Sequence, residues 1–165
     1  MKTKKKIRAI TEAATVAAIY VVLTYLTSLF GLANGAVQCR LSEAMCVLPA
    51  FTTSAIPGLF IGCLLSNLLT GCAVFDVVFG SIATLIGAYG TYLFKKKGTS
   101  PYFYPISPII SNTVIVPLVL KYGYGLNGGI WYFAATVGLG EIISCGILGM
   151  ILYYSLLKKS SIIFH

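Results

Sequence analysis

The chain has 165 residues, of which 58% are hydrophobic and 10% are charged, and its formal net charge is +8. Soluble domains carry about 25% charged residues, so the composition excludes an ordinary soluble protein. The apolar runs are continuous rather than alternating, which favours membrane helices over a β-barrel. We therefore predict an all-α integral membrane protein embedded in the lipid bilayer.

The positive charges are grouped at the ends of apolar segments. Such clusters are typical of cytoplasmic membrane boundaries, and their placement argues against a nucleic-acid partner. Ten of the twelve basic residues belong to three groups: Lys2, Lys4, Lys5, Lys6 and Arg8 at the start, Lys95–Lys97 in the middle, and Lys158 and Lys159 near the end.

Six helical segments are predicted, at about residues 7–30, 42–51, 55–70, 74–94, 102–121 and 128–157. Six segments place all three basic groups on one side, so we expect a cell-membrane protein with both termini in the cytoplasm. Residues 1–165 are expected to form a single membrane domain. A second helix of ten residues would measure only ~15 Å, about half of the ~30 Å hydrocarbon core. It should therefore be tilted, buried or re-entrant.

The first helix carries a face of small residues. Such residues let membrane helices approach closely, so this face indicates either docking onto another membrane subunit or packing within the chain. Gly58 and Gly62 form a GxxxG pair that we assign to internal packing. The alanines of the helix 1 face are Ala13, Ala14, Ala17 and Ala18.

Polar residues also mark the predicted outer side. Arg40 and Glu43 lie at the start of the second helix, where they can simply pair with each other, since a helix N-terminus favours the acid. Asp76 begins the fourth helix, where it can act as a cap. Asn67 can be a packing amide, and Trp131 belongs to an interfacial belt or stacks on a flat ligand.

Glu141 lies about midway along the last helix. An ionisable side chain inside a span is costly and indicates a functional site by default. Asn112 lies at a similar depth in the fifth helix. The two residues could line one pocket, or a hydrogen bond between them could simply hold the two helices together.

The chain lacks the usual signatures of catalysis and metal binding. Its five cysteines (Cys39, Cys46, Cys63, Cys72 and Cys145) form no CxxC pair, and its one histidine is His165. There is no P-loop and no nucleophile–base pair. We therefore predict no catalytic residues, metal site or cofactor, and disfavour a small membrane enzyme.

Three stretches, "VQCRLSEAMCVLPAFTTSAIPGLFIGCLLSNLL", "FDVVFGSIATLIGA" and "ISPIISNTVIVPL", closely resemble the QueT family. The resemblance covers about residues 10–157. The family consists of predicted substrate-binding (S) components of energy-coupling-factor (ECF) transporters, associated with uptake of queuosine precursors. The resemblance implies an S-component bundle whose ligand site faces outside under the loop between helices 1 and 2. It also implies docking of the helix 1 alanines onto a membrane coupling subunit that works with two cytosolic ATPases.

The resemblance also implies the ligand class, queuine or a related 7-deazaguanine. Glu141 would then accept hydrogen bonds from the ring edge beside Asn112, Asp76 or Glu43 would balance the ligand amine, and Arg40 would hold the loop. Asn67 and Trp131 are further candidate binding residues. Two alternatives stay open, namely a structural or assembly membrane protein, and an S-component for a different vitamin-like solute.

Overall fold

The structure is a computed structural model that describes residues 2–31 and 38–159. In these two stretches the chain forms six helices and no strands, which confirms the predicted all-α fold. Their bounds are Lys2–Leu29 (helix 1), Leu41–Ala50 (helix 2), Ala55–Leu69 (helix 3), Asp76–Lys96 (helix 4), Pro101–Gly123 (helix 5) and Ile130–Leu157 (helix 6).

Helices 1, 4, 5 and 6 are long and apolar enough to cross a membrane. Helices 2 and 3 are apolar but shorter. Many large apolar side chains of the long helices remain exposed, Val114 at 60% and Ile151 at 60% among them. An exposed hydrocarbon surface of this kind is stable in lipid and not in water, so the chain is a multi-pass membrane protein.

Helix 2 is a 3-10 helix that the other helices surround. Nine of its ten residues, Ser42 to Ala50, are buried, and Pro49 lies inside it. A 3-10 helix rises about 2.0 Å per residue, so helix 2 is about 20 Å long rather than the ~15 Å of an α-helix. Of the three arrangements that its short length allows, the structure shows the buried one.

Helix 1 packs on helix 3 through the two glycines of the GxxxG pair. A Cβ on Gly58 would lie 2.7 Å from the Ala13 carbonyl oxygen, and a Cβ on Gly62 would lie 2.8 Å from the Cβ of Tyr20. The predicted internal packing of these glycines is therefore confirmed. The close approach also brings the phenol of Tyr20, which is fully buried, to the centre of the bundle.

Helices 4, 5 and 6 each contain a π-helical segment, at Asp76–Gly80, Val119–Gly123 and Ile142–Leu148. π-Helical segments are rare in proteins, and those that do occur often lie at functional sites. Asp76 opens the first segment, and Glu141 immediately precedes the last one. The backbone irregularities therefore coincide with two of the predicted acidic candidates.

The segment that leads into helix 2 lies against helix 6. Gly140 has no side chain, and a Cβ there would overlap the carbonyl group of Gln38. The Sγ atom of Cys39 lies 3.5 Å from the Oγ atom of Ser144. This contact brings Arg40 and the start of helix 2 toward the middle of helix 6. The loop that the family resemblance assigns as a cover includes residues 32–37, which lie outside the described residues.

Candidate functional site

The first buried polar group, called the Arg40 cluster, joins the starts of helices 2 and 4 to the end of helix 3. Arg40 Nη2 lies 3.5 Å from Asp76 Oδ2, and Arg40 Nη1 donates a 3.1 Å hydrogen bond to Asn67 Oδ1. The hydroxyl group of Tyr124 donates a 3.1 Å bond to the same Asp76 oxygen. The cluster consists of Arg40, Asn67, Asp76 and Tyr124.

Asn67 holds the Asp76 backbone, and Gly80 leaves the space that the Asp76 carboxylate occupies. Asn67 Nδ2 donates to the backbone carbonyl of Asp76 at 3.2 Å, and a Cβ on Gly80 would lie 2.8 Å from Asp76 Oδ1. That Oδ1 atom is buried without a hydrogen-bond partner. Because a buried acceptor without a donor is costly, Asp76 has an unused capacity to bind a donor or a cation.

Tyr124 links the Arg40 cluster to the chain that follows helix 5. Its hydroxyl oxygen accepts a 3.1 Å bond from the Ala73 backbone N–H while its proton goes to Asp76. Burial, followed by the adjacent Asp76 carboxylate, raises the pKa of the Tyr124 phenol above its ordinary value. Tyr124 therefore stays a neutral hydrogen-bond donor at neutral pH.

The second buried polar group, called the Glu43 cluster, lies among helices 1, 2, 5 and 6. Within it, the Glu43 carboxylate accepts a hydrogen bond on each oxygen, from the Tyr20 hydroxyl on Oε1 and from Cys46 Sγ at 3.0 Å on Oε2. The cluster consists of Tyr20, Glu43, Cys46, Asn112, Glu141 and Cys145.

The Glu141 carboxylate is bound in the same two-sided way. Asn112 Nδ2 donates to Glu141 Oε1 at 3.0 Å, and Cys145 Sγ donates to Glu141 Oε2 at 3.1 Å. Cys145 Sγ also lies 3.2 Å from the backbone carbonyl oxygen of Glu43. Cys145 thus joins the two carboxylate-bearing residues across the interface between helices 2 and 6.

The two clusters contain an excess of acidic groups. The buried charged side chains of the described residues are Arg40, Glu43, Asp76 and Glu141. Three acids against one base require protons or a bound cation, because an uncompensated charge is very unfavourable away from water. The arrangement is therefore suited to a partner that brings positive charge or several N–H donors.

Six of the seven candidate binding residues from the sequence lie in the Arg40 cluster or the Glu43 cluster, and one lies outside both. Asn112 and Glu141, for which the sequence left open a shared pocket or a hydrogen bond that joins two helices, are hydrogen-bonded to each other. The ion-pair partner of Arg40 is Asp76, while Glu43 is bonded to Tyr20 and Cys46. Trp131 lies apart from both clusters, with 87% of its surface exposed.

Four residues of the clusters were not predicted. They are Tyr20, Cys46, Tyr124 and Cys145. The tyrosines sit in segments that also suit packing or an interfacial belt, and cysteines in apolar helices are usually small core residues. The partners of Tyr20 and Tyr124 are distant in sequence. Cys46 and Cys145 bond to carboxylates three and four residues away on their own helices, a spacing that an i,i+3 or i,i+4 search for polar pairs could have found.

The alanine face of helix 1 divides into a packed half and an open half. Ala17 is buried beside Gly62, and Ala13 lies against Gly58. Ala14 and Ala18 are exposed. All four alanines border a surface groove of about 840 Å³ between helices 1 and 3.

A bundle that contains four helices of membrane length and buried ionisable side chains is the architecture of an integral membrane protein with an internal polar site. The QueT transporter family matches residues 10–158 of this chain. The chain therefore belongs to the QueT transporter family.

One curated relative extends this comparison. The chain is similar to the queuosine precursor transporter QueT of Lactococcus lactis subsp. cremoris (strain MG1363), with 36% identity over 94 residues. The match covers 56% of this chain and 55% of the relative, so it spans about half the length of the curated relative. No solved structure matches the chain.

Proposed function

We propose that this chain is the substrate-binding subunit of an ECF-type importer and captures queuine or a related 7-deazaguanine from outside the cell. Membership of the QueT transporter family and the printed name of the Lactococcus relative support the substrate class. The observation that carries the proposal is the buried Glu141 carboxylate, hydrogen-bonded to Asn112 between helices 5 and 6.

The chemistry of the ligand ring fits Glu141. One edge of a deazaguanine presents a ring N–H and an amino group, and a carboxylate can accept both in a bidentate, charge-assisted arrangement. In the structure the two Glu141 oxygens accept from Asn112 and Cys145. We infer that the ligand edge replaces these donors, after which the Asn112 amide can bond to the ring carbonyl.

The excess of buried carboxylates over basic groups complements the positively charged amine at the other end of the ligand. Queuine and the aminomethyl deazaguanine each carry an amine that is protonated at neutral pH. Glu43 and Asp76 supply buried carboxylates of which Arg40 neutralises one, and Asp76 Oδ1 has a free acceptor. Asn67 would hold the Asp76 side of the site, and Trp131 would reach the ring only if the start of helix 6 moved inward.

Transport against a gradient requires partner subunits that use ATP. We propose a membrane coupling subunit bound to two cytosolic ATPases, with the exposed Ala14 and Ala18 as the docking surface beside Ala13 and Ala17. A face of small residues allows a partner helix to come close. The groove of about 840 Å³ along this face is large enough for side chains of such a helix.

The proposed orientation places both termini in the cytoplasm, because the basic groups at Lys95–Lys97 and Lys158–Lys159 should face inward. A cysteine introduced beside Lys96 should resist an impermeant thiol reagent in intact cells, whereas one at Asn127 should react. Labelling of the Lys96 site from outside would show that the orientation is wrong.

The direct test is binding of radiolabelled queuine and its aminomethyl precursor by the purified chain, without partner subunits. Saturable binding that guanosine does not displace supports the proposal. A monodisperse protein that binds neither compound favours the structural or assembly alternative. Binding of a different vitamin-like solute, with neither deazaguanine able to displace it, would assign the chain to another substrate.

A further inference from the structure

Glu43, Cys46 and Cys145 form a compact set of metal-type ligands. One carboxylate oxygen and two sulfur atoms lie within 4.8 Å of one another, and all three residues are buried. A tetrahedral Zn²⁺ ion with bonds of about 2.3 Å to sulfur and about 2.1 Å to oxygen needs ligand atoms roughly 3.5 Å apart. The separation of 3.0 Å between Cys46 Sγ and Glu43 Oε2 is thus within a small adjustment of that geometry.

Tyr20 is placed as an outer group that orients one ligand of a metal site. Tyr20 donates to Glu43 Oε1 and leaves Oε2 directed at Cys46. A hydrogen bond of this kind orients the carboxylate ligand of a metal site and is needed for affinity. Glu141 Oε2, 3.1 Å from Cys145 Sγ, is the carboxylate nearest to the proton that this thiol loses when it binds a metal.

The charge balance also suits a divalent ion. Cys46 Sγ lies 3.0 Å from a Glu43 carboxylate oxygen and Cys145 Sγ lies 3.1 Å from a Glu141 carboxylate oxygen, so a cation bound to the two sulfur atoms would be attracted by both carboxylates. Replacing two thiol protons by one Zn²⁺ ion forms two Zn–S bonds, breaks two S–H bonds and releases two protons to water. The net charge of the buried cluster does not change, and nothing is oxidised or reduced.

We propose that Glu43, Cys46 and Cys145 bind one soft divalent metal ion of the Zn²⁺ class between helices 2 and 6. Two thiolates favour a soft ion over Mg²⁺ or Ca²⁺. The site shares Glu43 with the proposed solute site, so that with a metal bound Asp76 is the carboxylate left for the ligand amine, but metal binding is measured without any solute.

The first experiment uses the unaltered full chain, purified in detergent under a phosphine reductant. Co²⁺ should bind at one ion per chain and produce a thiolate-to-cobalt charge-transfer band in the near ultraviolet. Zn²⁺ added to the cobalt-loaded protein should abolish the band without further proton release, whereas Zn²⁺ added to the metal-free protein should release about two protons per ion, as metal binding to two thiols requires. Mg²⁺ should have no effect. Absence of the charge-transfer band in a folded protein would overturn the proposal.

Variants then locate the site. Cys46→Ser and Cys145→Ser should each lower Zn²⁺ affinity by more than about 100-fold, and Tyr20→Phe, which alters only an outer group, by about 10- to 100-fold. Cys63→Ser removes another fully buried thiol and is the matched control, with affinity unchanged. Thermal unfolding without metal verifies that each variant is folded. Equal loss in Cys63→Ser, or full affinity in Cys46→Ser and Cys145→Ser, would contradict the assignment.

Discussion

The amide of Asn112 donates a 3.0 Å hydrogen bond to Glu141 between helices 5 and 6, and both side chains are buried. This contact alone fits a bond that only joins two helices. It also fits a ligand-free site whose internal donors occupy the positions of the ligand. The two interpretations differ in what removal of the charge does to binding.

Glu141→Gln should weaken deazaguanine binding by about 10- to 100-fold or more, because a ligand donor left without its acceptor costs about 1–3 kcal/mol. Folding should be retained, since the amide is nearly isosteric and easier to bury. Asn112→Ala should have a smaller effect. Isothermal titration of the purified chain measures both, with Glu12→Gln on helix 1 as control. Unchanged affinity in Glu141→Gln would leave Glu141 with a packing role.

Arg40→Ala should destabilise the protein by about 3–5 kcal/mol, because it leaves the buried Asp76 carboxylate without its ion-pair partner. Adding Asp76→Asn should recover part of this loss, since the unpaired charge is then removed. The control is Arg8→Ala, which breaks the more exposed pair with Glu12 and should cost less than about 1 kcal/mol. Thermal unfolding in detergent compares the variants. If the loss of stability in the double variant equals the sum of the losses in Arg40→Ala and Asp76→Asn alone, the two side chains do not stabilise each other and the ion pair is contradicted.

Tyr124→Phe should cost about 1 kcal/mol by removing one hydrogen bond to Asp76. Because the pKa of the folded phenol is raised, its stabilisation is present below the ordinary tyrosine pKa of about 10 and decreases as the pH rises toward the higher folded value. The difference in unfolding temperature between parent and variant should therefore shrink in alkali. Tyr122→Phe, with Tyr122 73% exposed, should show no such difference at any pH.

Gly62→Ala should destabilise the chain by about 1–3 kcal/mol, because the added methyl group overpacks the contact between helices 1 and 3. Its Cβ would lie 2.8 Å from the Tyr20 Cβ and 3.1 Å from the Ala17 Cα. The matched control is Gly129→Ala, where no atom lies within 4 Å of the added Cβ. Equal unfolding temperatures for the two variants would mean that the helices can separate at little cost.

Ala14→Trp and Ala18→Trp should lower cellular uptake by about tenfold, if a bulky side chain weakens subunit docking by 1–2 kcal/mol. Ligand binding by the isolated chain should not change, since both alanines are exposed. Val114→Trp places the same bulk on an exposed position of helix 5 and should leave uptake intact. If the alanine variants lose ligand binding as well, the face belongs to internal packing.

The amino-acid sequence by itself determined the membrane class, the six-helix fold and the packing role of Gly58 and Gly62. These properties depend on local signals, namely the length of apolar runs, the position of prolines and the spacing of small residues. Glu141 and Asn112 were also detectable, because a polar group in an apolar span is conspicuous wherever the helix packs.

Only the tertiary structure decided which buried polar side chains contact each other. Arg40 lies three residues from Glu43 in the chain, yet its ion pair is with Asp76 on another helix. Cys46 and Cys145, separated by 99 positions, meet beside Glu43 because helix 2 is buried against helix 6. Apolar helices are nearly uniform on every face, so the sequence carries little information on which faces meet. Small residues such as Gly62 and Gly140 determine which faces pack, because the neighbouring segments can approach closely only where no side chain is in the way.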